Sequence, residues 1–300
     1  MQTNFPDKTK IDKIKLIVCD LDGTLLNSHK KISDESAAYI INLQKQGYRF
    51  AIATGRFYYE VEEFIKQLQM KDYGGYVVCA NGLEVYNTQT NEVHKFDRIP
   101  QDNANEIMQR AIHYNLTMYV NEDGHFHVLC SSLITASIRI IKVLLKPFST
   151  ILKGKLKYLL NLLNHATFSK NINLKADVPK ICFTGRSKNI EKFKNEISDS
   201  FPQFHFFYVA KQSVEICSTS VSKQYAIAYV CDQLHLNMDQ VIAFGDSGND
   251  EMLLSSVGIG VAMKNAFSST KASASYETSY KHSEDGVVRY LSSLLNNEKR

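Results

Sequence analysis

Two aspartates, one residue apart, follow a short apolar segment near the start of the chain. The segment Lys15-Leu16-Ile17-Val18 is typical of a strand buried on both faces of a parallel sheet, and Asp20 and Asp22 come just after it. Strand side chains alternate with a period of two, so both carboxylates project to the same side. Like charges that close raise one carboxyl pKa unless a cation intervenes. The pair indicates a shared proton or a bound metal, with an ordinary strand-end turn at Asp22-Gly23 as the alternative.

Polar residues also follow two later segments that have the pattern of buried strands. The segment 49–53 leads into Thr54-Gly55-Arg56, and the segment 241–244 leads into a motif that runs from Gly245 to Asp250. The carboxyl ends of parallel strands meet at one edge of an open α/β sheet, where ligands bind. Three or four carboxylates gathered there require a divalent cation, and an all-oxygen donor set favours Mg²⁺ over zinc.

A lysine and a threonine add the groups that bind anions. Lys223 lies near the start of a predicted helix, and Thr54 offers a hydroxyl donor at a strand end. Mg²⁺, an ammonium group and a hydroxyl donor are what a phosphoryl group needs. Two simpler interpretations stay open: Thr54-Gly55 is only a strand-to-helix turn, and Lys223 is a solvated helix residue.

The order of elements predicts how these residues are positioned. Strands at 15–18, 49–53 and 76–80 alternate with helices that begin after Ser33 and near Tyr58, which predicts a parallel sheet with right-handed crossovers. After Gly82 the strands alternate apolar and polar residues, as in an antiparallel sheet, and the first pattern returns at Val214. We therefore predict an α/β core formed by residues 1–83 and 213–300, with an α+β domain inserted at 84–212.

Composition limits the protein class. The 300 residues are 44% hydrophobic, which is enough for a sizeable core and favours two domains. The six cysteines are dispersed without a C-x-x-C pair, as expected for a reducing, cytoplasmic setting. We expect no signal peptide and no transmembrane helix, because the first 13 residues are polar and no long uncharged apolar segment occurs.

Four motifs, in this order, resemble those of the haloacid dehalogenase superfamily. They are Asp20-Leu21-Asp22-Gly23-Thr24-Leu25-Leu26, Thr54-Gly55-Arg56, Val221-Ser222-Lys223 and Gly245-Asp246-Ser247-Gly248-Asn249-Asp250. The insertion between the second and third motifs is similar to the large α/β cap, of the C2B type, in Cof-type phosphatases. The resemblance implies a Rossmann-like, doubly wound parallel core with a substrate-selecting cap.

The resemblance also implies roles for individual residues. Asp20 matches the nucleophile that forms an aspartyl-phosphate, and Asp22 matches the general acid and base. Mg²⁺ would be held by Asp20, Asp246 and the backbone carbonyl of Asp22, while Asp250 would position metal-bound water or Lys223. The residues implied to bind phosphate or substrate are Thr54, Gly55, Arg56, Lys223 and Asn249. Asn249 has a helix cap as its alternative role, and Arg56 a surface position.

These roles imply a Mg²⁺-dependent phosphatase that acts on small phosphorylated metabolites, either sugar phosphates or phosphorylated cofactors. The alternatives are a phosphotransferase or phosphomutase of the same superfamily and a catalytically weak protein that senses sugar phosphates. Asp22 argues for water as the acceptor, and the presence of Asp20, Asp22 and Asp246 together argues against a sensor. We expect no nucleic-acid partner, no stable membrane association, and a monomer or weak homodimer.

A basic segment lies within the predicted insertion. Ser131–Lys180 holds nine Lys and Arg residues and one Asp, a net charge of +8 in a chain of net charge +4. It includes a predicted helical region from Leu133 to Leu163, broken at Pro147. A solvated helix face is the first interpretation; binding to an anionic membrane and steering of anionic substrates are the others. His125 and His127 alternate on a predicted strand without a third ligand, so we interpret them as structural.

Overall fold

The computed structural model describes residues 6–122, 125–129, 166–169, 173–210 and 212–296. Their strands, in chain order, are β1 (Leu16–Cys19), β2 (Arg49–Ala53), β3 (Tyr76–Cys79), β4 (Glu84–Asn87), β5 (Val93–Lys95), β6 (Thr117–Glu122), β7 (His125–Leu129), β8 (Ala166–Ser169), β9 (Ile181–Thr184), β10 (Phe204–Ala210), β11 (Ser213–Ser218), β12 (Val241–Gly245), β13 (Ile259–Ala262) and β14 (Tyr276–Glu277). Their α-helices are α1 (Lys8–Ile11), α2 (Asp34–Lys45), α3 (Glu62–Gln67), α4 (Gln101–His113), α5 (Ser187–Ser200), α6 (Lys223–Leu234), α7 (Glu251–Ser256), α8 (Ser268–Ser273) and α9 (Gly286–Asn296).

The first of two compact units comprises Met1–Phe96 and Ser220–Arg300 and contains an eight-stranded sheet. The strand order is β14-β13-β12-β1-β2-β3-β4-β5, parallel from β14 to β3 and antiparallel beyond it. Cys19 lies level with Phe244 on one side and Ile52 on the other, so β1, β2 and β12 end at the same edge. The predicted parallel core is confirmed.

Both faces of this sheet are covered, because successive residues of each strand enter different apolar clusters. On β1, Ile17 packs in a cluster with residues of α2, α3 and α9, whereas Leu16 packs with residues of α6 and α7. This arrangement explains why the central strands are uninterrupted runs of apolar residues. It also leaves the ends of the strands as the place where polar groups can gather.

The second unit, Asp97–Thr219, contains a six-stranded sheet with the order β10-β11-β9-β6-β7-β8. Its neighbouring strands are antiparallel except β7 and β8, which are parallel. Helices α4 and α5 contribute Ile107 and Phe193 to an apolar cluster that also holds Phe183 of β9. The inserted α+β domain therefore has its own core.

The units divide the chain after Phe96 and after Thr219, whereas the sequence analysis placed the boundaries at 83/84 and 212/213. The first boundary is later because β4 and β5 extend the large sheet from β3. The second is later because Val214–Cys217, predicted as a core strand, lies in β11 and pairs with β9 and β10. The helix predicted from about Tyr58 to Met70 is also shorter, since Val61, with φ −118°, separates a 3-10 turn at Tyr58–Glu60 from α3, which ends at Gln67.

Most of the basic segment, including the predicted helical region 133–163, lies outside the described residues. Lys180, which was counted with it, is buried, and its Nζ lies 2.9 and 3.0 Å from the two carboxylate oxygens of Glu215. It is therefore not part of a solvated face. His127 Nε2 lies 3.2 Å from Glu122 Oε2, a contact within the sheet that fits a structural role. In the ranges described, no helix has the length and apolar character needed to cross a membrane.

Candidate active site

The first acidic motif leaves β1 in a turn that brings it against the loop after β12. The Asp20 amide donates to the Phe244 carbonyl at 3.1 Å, and Asp20 is buried. The turn needs glycine at position 23: its φ is +89°, and a Cβ there would lie 2.3 Å from Asp246 Oδ2. Thr24 then donates from Oγ1 to Asp246 Oδ1 at 3.1 Å. The first and fourth motifs are thus in direct contact.

Three carboxylates converge at this strand edge. One oxygen from each of Asp20, Asp246 and Asp250 lies within 4.8 Å of the others, and these three form the only such group of potential ligands among the described residues. Asp250 holds its own loop, because its Oδ2 accepts from the Asp246 and Ser247 amides at 3.0 and 3.1 Å. The sequence analysis correctly expected these acids to meet.

Lys223 lies between two of the acids. It is the first residue of α6, which is capped by Ser222 Oγ accepting from the Tyr225 amide. Its Nζ donates at 2.7 Å to both Asp20 Oδ1 and Asp250 Oδ1, and its side chain is fully buried. The alternative of a solvated helix lysine is therefore wrong. Burial opposes its charge, but the two carboxylates outweigh burial and raise the pKa of Lys223.

The remaining carboxylate oxygens fit a divalent cation. Asp20 Oδ1 accepts a hydrogen bond from Lys223, and Asp246 Oδ1 accepts one from Thr24. Asp20 Oδ2 and Asp246 Oδ2 accept no hydrogen bond from the described residues. Both oxygens of Asp250 already accept hydrogen bonds. Two hard anionic oxygens beside a glycine turn form a donor set suited to Mg²⁺, with Asp250 as a supporting residue.

The acid cluster is strained electrostatically without such an ion. Burial, only partly offset by Lys223, raises the pKa of Asp20 to about 7. Burial and the charges of Asp20 and Asp250 raise the pKa of Asp246 to about 8. A divalent cation between Asp20 and Asp246 would remove this repulsion and lower both pKa values.

Asp22 differs from Asp20 in its surroundings. Arg56 donates to it twice, from Nε to Oδ2 at 2.6 Å and from Nη2 to Oδ1 at 2.8 Å, and Lys30 Nζ donates to Oδ1 at 2.5 Å. Burial would raise the pKa of Asp22, but the hydrogen bonds from Arg56 and Lys30 outweigh it and lower the pKa to about 2. Arg56, predicted as a substrate contact or a surface residue, is therefore bound to the proposed general acid, and the Asp22 side chain is not part of the three-acid group.

The second motif is held by an asparagine that the sequence analysis did not select. The backbone amide of Asn81 donates to the backbone carbonyl of Thr54 at 3.0 Å, and the side-chain Oδ1 of Asn81 accepts from Asn249 Nδ2 at 2.8 Å. Its φ is +61°, and Ala80 before it also has a positive φ, at +48°. A Cβ on Gly55 would lie 3.0 Å from Asn81 Oδ1. The Asn81-Gly82 pair at a strand end was the available signal.

Two of the predicted phosphate ligands are buried at this point. Thr54 is 1% exposed, and its Oγ1 accepts from the Arg56 amide at 3.2 Å. Asn249 is also buried, and its Oδ1 accepts from Ser247 Oγ. The N-cap position of α7 is Asp250, which makes no side-chain capping hydrogen bond, so Asn249 is not the cap of this helix. The site therefore gathers residues of all four motifs, together with Lys30 and Asn81 from outside them.

Comparison with known families agrees with this geometry. The family sequence model for haloacid dehalogenase-like hydrolases matches residues 17–291, which is nearly the whole chain. The chain therefore belongs to the haloacid dehalogenase-like hydrolase family.

Its relatives include named phosphatases. A 5-amino-6-(5-phospho-D-ribitylamino)uracil phosphatase of Bacillus subtilis is 26% identical over 283 residues, which cover 92% of this chain and 96% of that protein. An HMP-PP phosphatase of Serratia proteamaculans is 26% identical over 259 residues, or 86% of each chain.

Solved structures share the fold. A haloacid dehalogenase-like hydrolase from Bacteroides thetaiotaomicron superposes with a TM-score of 0.71 at 24% identity, over 94% of this chain and 100% of that one. A haloacid dehalogenase-like hydrolase from B. subtilis gives 0.74 at 22% identity, with the same coverage.

Proposed function

We propose that this protein is a Mg²⁺-dependent phosphatase that hydrolyses small phosphorylated metabolites, sugar phosphates or phosphorylated cofactors, through an aspartyl-phosphate. The observation that carries the proposal is the buried Lys223 between Asp20 and Asp250. Next to it, Asp20 Oδ2 and Asp246 Oδ2 accept no hydrogen bond from the described residues. The phosphatase names of its relatives support the same class. The second unit, 97–219, would select the substrate, and the free cysteines among the described residues favour the cytoplasm.

Asp20, Asp246 and the backbone carbonyl of Asp22 would hold the Mg²⁺ ion. When bound, the ion neutralises the phosphoryl oxygens and the acid cluster, so that an anionic nucleophile can approach an anionic group. Lys223 fixes the orientation of Asp20 by donating to Oδ1, and it supplies a positive charge beside this proposed nucleophile. Thr54 provides a hydroxyl near the Arg56 backbone for a phosphoryl oxygen.

Hydrolysis would proceed in two displacements at phosphorus. Asp20 attacks phosphorus, the bond to the ester oxygen breaks, and Asp22 gives its proton to the leaving alcohol. Water then attacks the aspartyl-phosphate, Asp22 takes up the proton, and inorganic phosphate leaves as Asp20 is restored. Asp22 is ionised while Arg56 and Lys30 hold it, so the acid step requires an anionic substrate that shares those two cations and raises the pKa of Asp22.

The first test is Mg²⁺-dependent release of phosphate from 4-nitrophenyl phosphate and from a panel of sugar and cofactor phosphates. We expect turnover with Mg²⁺ and at least about a hundredfold loss after exhaustive chelation, because no divalent cation would then neutralise the phosphoryl oxygens as Asp20 approaches phosphorus. Restoration by added Mg²⁺ is the control for damage by the chelator. Full turnover in the chelated protein would exclude the proposed metal role.

Thermal unfolding gives a second measure of the metal site. Asp20 and Asp246 have pKa values raised to about 7 and about 8, so both bind protons below these values and compete with Mg²⁺. Their raised pKa values favour the metal-free fold at low pH, and this stabilisation is lost as pH rises through 7 to 8. Saturating Mg²⁺ should therefore raise the unfolding midpoint by about 5 °C near pH 8.5 and by clearly less near pH 6. An equal increase at both pH values would contradict this assignment.

The variant Asp22→Asn tests the proton transfer. It should slow an alkyl phosphate by about 10²- to 10⁴-fold and an aryl phosphate by much less in the first displacement, because an aryl oxide leaves without protonation. Rapid-quench measurement of the first turnover separates this step from the second, in which water activation also fails and phosphorylated enzyme accumulates. If the rate of the first displacement fell equally for both esters, Asp22 would have only a structural role.

A further inference from the structure

Lys30 is placed beside Asp22 by a tight turn that no motif includes. The backbone amide of Asn27 donates to the backbone carbonyl of Lys31 at 2.9 Å. The backbone amide of Lys30 donates to the backbone carbonyl of Asn27, also at 2.9 Å. Asn27 Oδ1 accepts from the His29 and Lys31 amides at 2.9 and 3.2 Å, which closes the turn. Lys30 has a φ of +59° at this point. The turn therefore holds the Lys30 backbone in a conformation that few residues adopt.

Asp22 lies beside two cations. Arg56 makes a two-point contact with its carboxylate and also lies near the charges of Glu60 and Asp20. Lys30 adds a second positive charge on a side chain that is 63% exposed, and within the described part of the chain its ammonium group donates only to Asp22 Oδ1. An ammonium group has three protons to donate, so Lys30 can bind a further anion while it stays near Asp22.

Lys30 lies on the leaving-group side of the proposed reaction. Lys223 contacts Asp20, the residue that attacks phosphorus, whereas Lys30 contacts Asp22, the residue that protonates the leaving oxygen. We propose that Lys30 is a specificity-determining residue that favours esters whose leaving group carries a second anion, a carboxylate or phosphate, close to the cleaved oxygen. This inference rests on the proposed function, because that function places the leaving group at Asp22.

Two small esters that differ in one charge test this proposal. In 2-phosphoglycolate a carboxylate lies one carbon from the ester oxygen, and in 2-hydroxyethyl phosphate a neutral hydroxymethyl group replaces it. The variant Lys30→Met is compared with Lys31→Met, which removes the same charge from an exposed residue of the same turn. For each protein with Mg²⁺, the measurements are kcat/KM for both esters and their inhibition constants against 4-nitrophenyl phosphate.

Removing Lys30 also changes the surroundings of Asp22 and so affects both esters, but we expect Lys30→Met to lower kcat/KM, or weaken inhibition, about tenfold more for 2-phosphoglycolate than for 2-hydroxyethyl phosphate. Lys31→Met should change kcat/KM for either ester by no more than about twofold. High salt should reduce the extra loss that Lys30→Met causes for 2-phosphoglycolate. Equal effects on the two esters, no effect, or an equal effect of Lys31→Met would each overturn the proposal.

Binding separates this inference from the proposed function. If the wild-type protein released phosphate from no ester, the proposed function would fail, and calorimetric titration of both esters into the Mg²⁺-loaded proteins would still measure the role of Lys30. A selective, roughly tenfold loss of 2-phosphoglycolate affinity in Lys30→Met would then retain Lys30 as an anion-selecting residue. Equal affinities in wild type and variant would reject it.

Discussion

Replacing Asp20 with Asn should reduce phosphate release by at least about 10⁴-fold, the largest loss expected of any single substitution in this protein. An amide is a poor nucleophile and a poorer ligand for Mg²⁺, so the substitution removes two functions of one side chain. The backbone bond of residue 20 to Phe244 is unaffected, and Lys223 keeps its contact with Asp250, so we expect the fold to persist.

The matched control for this variant is Asp12→Asn, which changes an exposed aspartate of the same unit. Steady-state phosphate release and circular dichroism melting should be measured for both variants. Asp12→Asn should leave turnover within about twofold of wild type, since exposed substitutions have small effects. Wild-type turnover by a folded Asp20→Asn variant would remove Asp20 from the nucleophile role.

The second large effect is expected from Lys223→Met, in both stability and activity. Asp20 and Asp250 are buried, and Lys223 is the cation that contacts both. Removing one partner of a buried ionic group leaves uncompensated charge, which costs about 3–5 kcal/mol of the free energy of unfolding. Turnover should fall at least about 10³-fold, because the substrate loses a positive charge beside the nucleophile.

The stability loss in Lys223→Met should grow with pH. Burial already raises the pKa of Asp20 to about 7, so its protonated form is favoured by folding, and this contribution is lost as pH rises through that value. Without Lys223 the pKa of Asp20 rises further, so denaturant melts near pH 8 should show a larger loss than those near pH 5.5.

The double variant Lys223→Met/Asp250→Asn separates charge from packing. Removing one carboxylate relieves the repulsion, so the double variant should be more stable than Lys223→Met while it stays inactive. If Asp250→Asn gave no recovery of stability in the Lys223→Met background, lost packing of the lysine stem would explain the single variant, and the electrostatic account would be wrong.

The parallel core could be predicted because its strands carry their own signal. Leu16–Cys19 is apolar at every position since both faces of the sheet are covered, and the polar motif after it marks the strand end. The same reasoning was insufficient for Val214–Cys217, because a short strand, here with Glu215 among apolar residues, does not specify its partners. Only the pairing of β11 with β9 and β10 places it in the second unit.

The acid cluster was predictable for the same reason, and its side-chain contacts were not. Strand ends brought Asp20, Asp246 and Asp250 together by topology alone. The contacts of Arg56 and Lys30 with Asp22 depend on rotamers and on a turn with a positive φ, which residue spacing does not encode. A solvent-exposed Lys223 stayed open as the alternative because the carboxylates that contact it, Asp20 and Asp250, are distant in the sequence.

Asn81 has a consequence for how mutations in this site combine. Its backbone amide is bonded to Thr54 and its side chain to Asn249, so it joins the ends of two strands that are far apart in the sequence. Substitutions that share one hydrogen-bonded partner do not contribute independently to the free energy of unfolding. A Cβ added at Gly55 would lie 3.0 Å from Asn81 Oδ1, the atom that accepts from Asn249 Nδ2. The losses caused by changes at Gly55 and Asn249 are therefore coupled through a third residue. The second and fourth motifs of this chain cannot be exchanged one at a time without regard to position 81.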